Sequence, residues 1–149
     1  MKKYYMAFVD FSEIATITAD AEVTKAAKAN LLENGFYTAK GKVKHSVISS
    51  FVKMLMPSFA EKLKKRIRRY QGGIECVRDT FKKFCDAEEY SAFYLYLIFM
   101  YGFIEWSVPE KIIWFAADPD VLKVFANETF KAFDKYVTSN PTETTEETI

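Results

Sequence analysis

The chain has 149 residues, 50% hydrophobic, 28% charged and 17% aromatic, with only 5 Gly and 4 Pro. That length excludes two large domains, the apolar content excludes wholesale disorder, and so few Gly and Pro argue against an all-β protein with a turn every ~8–12 residues. The net charge of +1 conceals a polarity: residues 1–85 carry 17 Lys and Arg against 8 Asp and Glu, and residues 86–149 carry 4 against 12. Charge segregated in this way sets opposed surface potentials, which bear on partners more than on fold.

The N-terminus begins like a signal peptide, but its apolar run stops at Asp10, short of the ~7–15 residues such a segment needs, so export is not expected. Residues 2–18 fit either a strand or a helix; Tyr4, Phe8, Phe11 and Ala15 at helical spacing tip the reading toward helix. A helix follows over 19–34, capped by Thr18 or Asp20, with Val23, Ala26, Ala27, Asn30 and Leu31 on one face and Asn34-Gly35 closing it.

Residues 36–45 form a loop or a small hairpin turning at Lys40-Gly41. A helix resumes at about Ser46 with Val47, Phe51, Met54 and Leu55 as its apolar stripe, and Pro57 ends or kinks it. The next helix runs from about Ser58 to Gln71 on Phe59, Leu63, Ile67 and Tyr70. Gly72-Gly73 stops it, and residues 74–85 continue with Ile74, Val77, Phe81 and Phe84 inward.

Residues 87–106 are read as the central helix, capped by Asp86 with Glu88 and Glu89 in its first turn. Tyr90 to Ile104 carries no charge over 15 residues. At ~1.5 Å per residue it reaches ~22 Å, short of a ~30 Å hydrocarbon core, so a buried helix is expected and a membrane span is not. Pro109 opens a short helix to about Ala117. Asp118-Pro119-Asp120 starts a last one, with Val121, Leu122, Phe125, Phe130, Phe133 and Val137 inward and Asn140-Pro141 at its end. The tail 141–149 is polar and acidic, which predicts disorder.

The basic stretch carries the strongest functional signal. From Lys40 to Gln71 there are ten Lys and Arg against one acid, Glu61. Lys62, Lys65, Arg66 and Arg69 recur at three- and four-residue spacing, on one helix face without compensating acids. A polyanion would relieve that repulsion and release counterions, and arginine engages phosphate through two hydrogen bonds. Lys40, Lys42 and Lys44 would give a flexible second contact. The competing readings are a solvated face, a face docked on the chain's own acidic half, and an acidic protein or membrane surface. A helix-turn-helix built from 19–34 and 46–56 would need an unusually long connection; a winged variant would use 36–45 as the wing.

Other chemistries lack their parts. His45 is the single histidine and no CxxC exists, so no zinc site is expected; Ser46 beside it points elsewhere. Asp118-x-Asp120 reads as a helix cap before it reads as a cation site. Glu75 and Asp79 read as intrahelical pairing with Arg78, Lys82 and Lys83. Cys76 and Cys85 on one helix would stand ~13 Å apart, too far to bridge, and read as reduced, half-buried thiols of a cytoplasmic protein. The aromatic run from Phe93 to Phe115 reads as core, with one side of the 87–106 helix open to homo-oligomerisation.

The expectation is a mainly α, single-domain bundle over 1–140, of about six or seven helices around the 90–106 segment, with an optional hairpin near 36–45. Its expected function is non-enzymatic nucleic-acid binding through Lys40, Lys42, Lys44, Lys62, Lys65, Arg66 and Arg69, without metal or cofactor. The alternative is a small regulatory or inhibitory interaction module, directed at another protein through its acidic, aromatic C-terminal half.

Overall fold

A computed structural model describes residues 21–67, 73–104 and 107–139. Six helices lie within them: α1 Ala21–Glu33, α2 His45–Ile67, α3 Gly73–Asp86, α4 Tyr90–Phe103, α5 Glu110–Phe115 and α6 Pro119–Ser139. Among the described residues there is no strand, and the fold is mainly helical as expected. Between α1 and α2 a single antiparallel bridge pairs Tyr37 with Val43. The readings of residues 2–18, the caps Thr18 and Asp20, Arg69, Tyr70, Trp106 and the tail 141–149 lie outside the described residues.

Two helices end in the same motif with different residues at its critical position. After α1, the Phe36 amide donates to the Leu31 carbonyl at 3.1 Å and the Gly35 amide to Leu32 at 3.2 Å. After α3, the Glu89 amide donates to the Phe84 carbonyl at 2.9 Å and the Glu88 amide to Cys85 at 3.0 Å. This double bond satisfies carbonyls left over at a helix end and requires a left-handed residue in the middle. Gly35 takes that conformation at φ 80° and Glu88 at φ 57°. Glu88 is therefore a turn residue and Asp86 the last residue of α3, paired with Lys82 at 2.6 Å. The expected cap of the following helix is thereby displaced. α4 starts at Tyr90 after Glu89, with no side-chain cap.

Pro57 does not interrupt its helix. α2 runs unbroken through it for 23 residues. Its buried face is Ile48, Val52, Met56, Phe59, Leu63 and Ile67, a four- or three-residue repeat that keeps phase across the proline. The expected stripe was one position out: Val47, Phe51 and Leu55 are half-buried, and Met54 is 68% exposed. Burying a continuous apolar row offsets the hydrogen bond that Pro57 cannot donate.

On α1, Ala27 and Leu31 are buried while Ala26 is exposed. On α3, Cys85 takes the buried position expected of Phe84, which is half-buried against Tyr96. Cys76 is exposed, and both thiols are free. Pro109 precedes α5 as its cap residue. α4 buries Phe93, Tyr94, Leu97, Ile98, Met100, Tyr101 and Phe103 but leaves Leu95, Tyr96 and Phe99 only half-covered, so it is not enclosed on all sides. On α6, Thr129 joins the buried row while Phe130 is half-buried.

α6 is the helix on which α2, α3, α4 and α5 meet, and α1 packs on α5. The two helices of the imagined helix-turn-helix thus pack on different neighbours. Rings make the joints. Phe133 of α6 stands 6.2 Å from Phe59 of α2 and 5.3 Å from Phe81 of α3, and Phe81 is 4.7 Å from Phe93 of α4. A second knot centres on Phe115, 4.7 Å from Phe125, 5.3 Å from Phe36 and 5.6 Å from Phe51. The Tyr94 hydroxyl is satisfied in the core, donating to the Ile112 carbonyl at 2.7 Å. The Thr129 hydroxyl, in a residue 2% exposed, has no partner among the described residues.

A Cβ at Gly35 would meet no atom within 4 Å, so Gly35→Ala tests backbone strain alone and should cost about 1 kcal/mol, whereas Glu88→Gly should add about 0.5–1 kcal/mol. In a chain of this size, thermal melts should register each as a shift of about 2–4 °C per kcal/mol, in opposite directions. Thr129→Val removes an unsatisfied buried hydroxyl at nearly constant shape and should raise the melting temperature by an amount corresponding to about 1 kcal/mol.

Candidate polyanion-binding surface

The basic residues singled out in the sequence fall at two ends of α2. Lys40, Lys42 and Lys44 are exposed on the turn that leads into it. That turn is ordered by its own backbone: the Thr38 amide donates to Lys42 at 2.7 Å, the Lys44 amide to Phe36 at 2.8 Å, and the Lys42 amide to the Thr38 hydroxyl at 3.1 Å. The lysines stand on a tethered turn rather than on a flexible loop. Lys62, Lys65 and Arg66 are exposed near the other end of the helix. With α2 unbroken, Lys44 and Lys62 are separated by ~27 Å along the axis at ~1.5 Å per residue.

The local chemistry of the far end is defined by α6 and α4. Glu61, the one acid of the stretch, accepts a hydrogen bond from the Tyr136 hydroxyl of α6. Burial, and then this bond to a carboxylate, push the Tyr136 phenol up to about 12. The Arg66 guanidinium lies 5.5 Å from the centre of the Phe103 ring, a contact worth about 0.5–1 kcal/mol where exposed. Lys62 and Arg66 both have further partners within the chain. Lys64, Lys65 and Arg66 also occupy the last turn of α2, where cations offset the helix dipole.

Several of the chain's own acids are engaged elsewhere. Asp134 of α6 accepts from Arg78 of α3 at 3.2 Å, and Asp79 accepts from the same guanidinium at 2.8 Å. Glu128 stands 3.7 Å from Lys131. Asp118 serves twice: one oxygen accepts the Asp120 amide at 2.9 Å, as the capping reading expects, and the other accepts the Tyr37 hydroxyl at 2.7 Å. Burial and then Asp118 raise the Tyr37 phenol far above its usual range. Among the described residues no ion pair reaches Lys40, Lys42, Lys44, Lys53, Lys64 or Lys65.

The aromatic residues of the C-terminal half are largely consumed by the core, since Phe93, Tyr94, Tyr101, Phe103 and Phe115 are all buried. Among the described residues the large hydrophobic side chains that stand mostly exposed are Leu32 and Met54. No helix among them is long and apolar enough to cross a membrane, and no group of three or more His, Cys, Asp and Glu is placed to hold a metal ion. His45 is the first, exposed residue of α2.

Lysines outside the predicted contact set come together across the fold. Lys53 of α2 shares a groove with Lys131 and Lys135 of α6. A spacing of four, repeated from Lys123 through Asn127 and Lys131 to Lys135, was the available signal. Nothing in the chain order indicated that this row faces α2. Comparison with protein-family models, with curated proteins and with solved structures finds no match to this chain.

The Glu61–Tyr136 bond has a pH signature. A phenol raised by folding keeps its proton where the unfolded chain loses it, so its contribution is complete below pH ~10 and declines as pH rises toward 12. Thermal melts from pH 9 to 11.5 should therefore fall less steeply in Tyr136→Phe than in the wild type. Equal slopes would show that the bond is absent in solution.

Proposed function

We propose that the protein is a non-enzymatic nucleic-acid-binding protein that grips phosphates with the C-terminal half of α2. The observation that carries this reading is an exposed run in which Lys65 has no ion pair among the described residues and the neighbouring acid, Glu61, is committed to Tyr136. Lys62 and Arg66 flank it on the same exposed side. A row of this kind repels itself, and phosphates both relieve the repulsion and release their own counterions. Such contacts position a nucleic acid without reading its bases.

The lysines of the turn supply a second contact. The ~27 Å between Lys44 and Lys62 corresponds to about eight steps of a duplex at ~3.4 Å per step, so a duplex lying along α2 would meet both clusters. Two free thiols accord with a reducing, cytoplasmic setting.

The test is fluorescence anisotropy with labelled DNA and RNA across a salt series. Lys62→Glu/Lys65→Glu/Arg66→Glu should lower affinity at least 100-fold and reduce the slope of log K against log salt by about 2–3. Lys40→Glu/Lys42→Glu/Lys44→Glu should do so more weakly. Circular dichroism verifies folding, and Lys65→Glu alone carries the test if the triple variant unfolds. Binding unchanged in a folded variant, or no binding by the wild type, would overturn the assignment.

A further inference from the structure

α2 and α6 rise together along their lengths, and a groove runs between them. At the α2 N-terminal end its walls include Lys42, His45, Lys123 and Asn127; further along they include Ser49, Lys53, Lys131 and Lys135. The second section is an open cleft of about 520 Å³, a volume within the ~300–1,000 Å³ usual for small-molecule sites. Its floor is aliphatic: Val52, Met56, Pro57 and Ala132. Its lips carry Lys53 from one helix and Lys131 and Lys135 from the other, against one acid, Glu128. Glu128 is already paired with Lys131, and no ion pair among the described residues reaches Lys53 or Lys135.

The floor is also thinly backed. Val52 and Met56 line a second, internal void of about 10 Å³ together with Leu55, Phe59, Tyr101 and Thr129. These two side chains separate the groove from a spot where packing is incomplete. Methionine is the side chain most able to shift into such space, because it is unbranched and flexible.

We propose that this groove binds a single-chain amphipathic anion, an alkyl carboxylate. The head group sits between Lys53 and Lys135, and the chain lies on Val52, Met56, Pro57 and Ala132. Charge complementarity selects the head, since an anion there meets two ammonium groups that no ion pair among the described residues reaches. The aliphatic floor selects the tail, since burying each methylene contributes about 0.8 kcal/mol. On α2 this site is angularly separate from the phosphate-gripping residues. At ~100° per residue Lys62 lies about half a turn round from Lys53; Tyr136, which holds Glu61, also lines the groove, so the two assignments are told apart by separate variants.

The experiment is isothermal titration of the whole chain with dodecanoate below its micelle concentration, with dodecyltrimethylammonium as the probe of opposite charge. Dodecanoate should saturate a single site and raise the melting temperature. Lys53→Gln/Lys135→Gln should weaken it at least tenfold, and Ala132→Trp, which fills the floor, should abolish it. Lys62→Glu/Lys65→Glu/Arg66→Glu should leave it unchanged. Absence of saturable binding, equal binding of the cationic probe, or undiminished affinity in a folded Lys53→Gln/Lys135→Gln variant would overturn the proposal. So would a pattern in which that variant loses nucleic acid while the wild type ignores dodecanoate, because the groove would then belong to the polyanion.

Discussion

The structure depends on the docking of α2 against α6, and that docking turns on Phe133. Its fully buried ring touches Phe59 of α2 and Phe81 of α3, and through Phe81 it reaches Phe93 of α4. Three helices are thus held by one side chain and a fourth at one remove. Removing an aromatic ring from such a site costs about 3–5 kcal/mol, a large part of the stability of a single domain. Both proposed binding surfaces also follow from this joint. The groove exists because α2 and α6 lie side by side, and the exposed basic run exists because Phe59, Leu63 and Ile67 hold the opposite side of the same helix inward.

How much of this the sequence made legible depends on whether the deciding information was local. The end of α1 was readable because Gly35 is a local signal for a left-handed residue. The end of α3 was not, since Glu88 adopts the same conformation without advertising it. There Asp86 and Glu89 looked like the start of the next helix. The capping role of Asp118 was readable for the reason that Gly35 was, while its bond to Tyr37, 81 residues away, was not.

Pro57 is the instructive error. Dividing the region at the proline discarded the phase information that Phe59, Leu63 and Ile67 carry. Stepping back from Phe59 by threes and fours leads through Met56 and Val52 to Ile48, the observed buried row. Counting afresh from Ser46 led instead to Met54, which stands in solvent. A helix-breaking propensity of about 3 kcal/mol is outweighed when an uninterrupted row buries several large side chains, each contributing about 1.5–3 kcal/mol. The site residues inherited the error. The Lys40–Lys44 turn and the Lys62–Arg66 run lie toward the two ends of one continuous helix, and at ~100° per residue Lys53 turns to the opposite side from Lys62.

The opposed charges of the two halves do not map onto opposed faces. Lys123, Lys131 and Lys135 come from the acidic half yet line the groove, while Arg78 and Lys82 from the basic half are paired with Asp134 and Asp86. Folding therefore mixes the charges at α3, while along α2 no ion pair among the described residues reaches Lys53, Lys64 or Lys65. The two cationic surfaces of α2 are separated by a helix about 10–12 Å across. At physiological salt, where fields decay over about 8 Å, each surface is largely blind to what occupies the other; at ~0.01 M salt, where the decay length is about 30 Å, an anion bound on either side lowers the potential on both. Coupling between the surfaces is thus a property of the medium as much as of the fold.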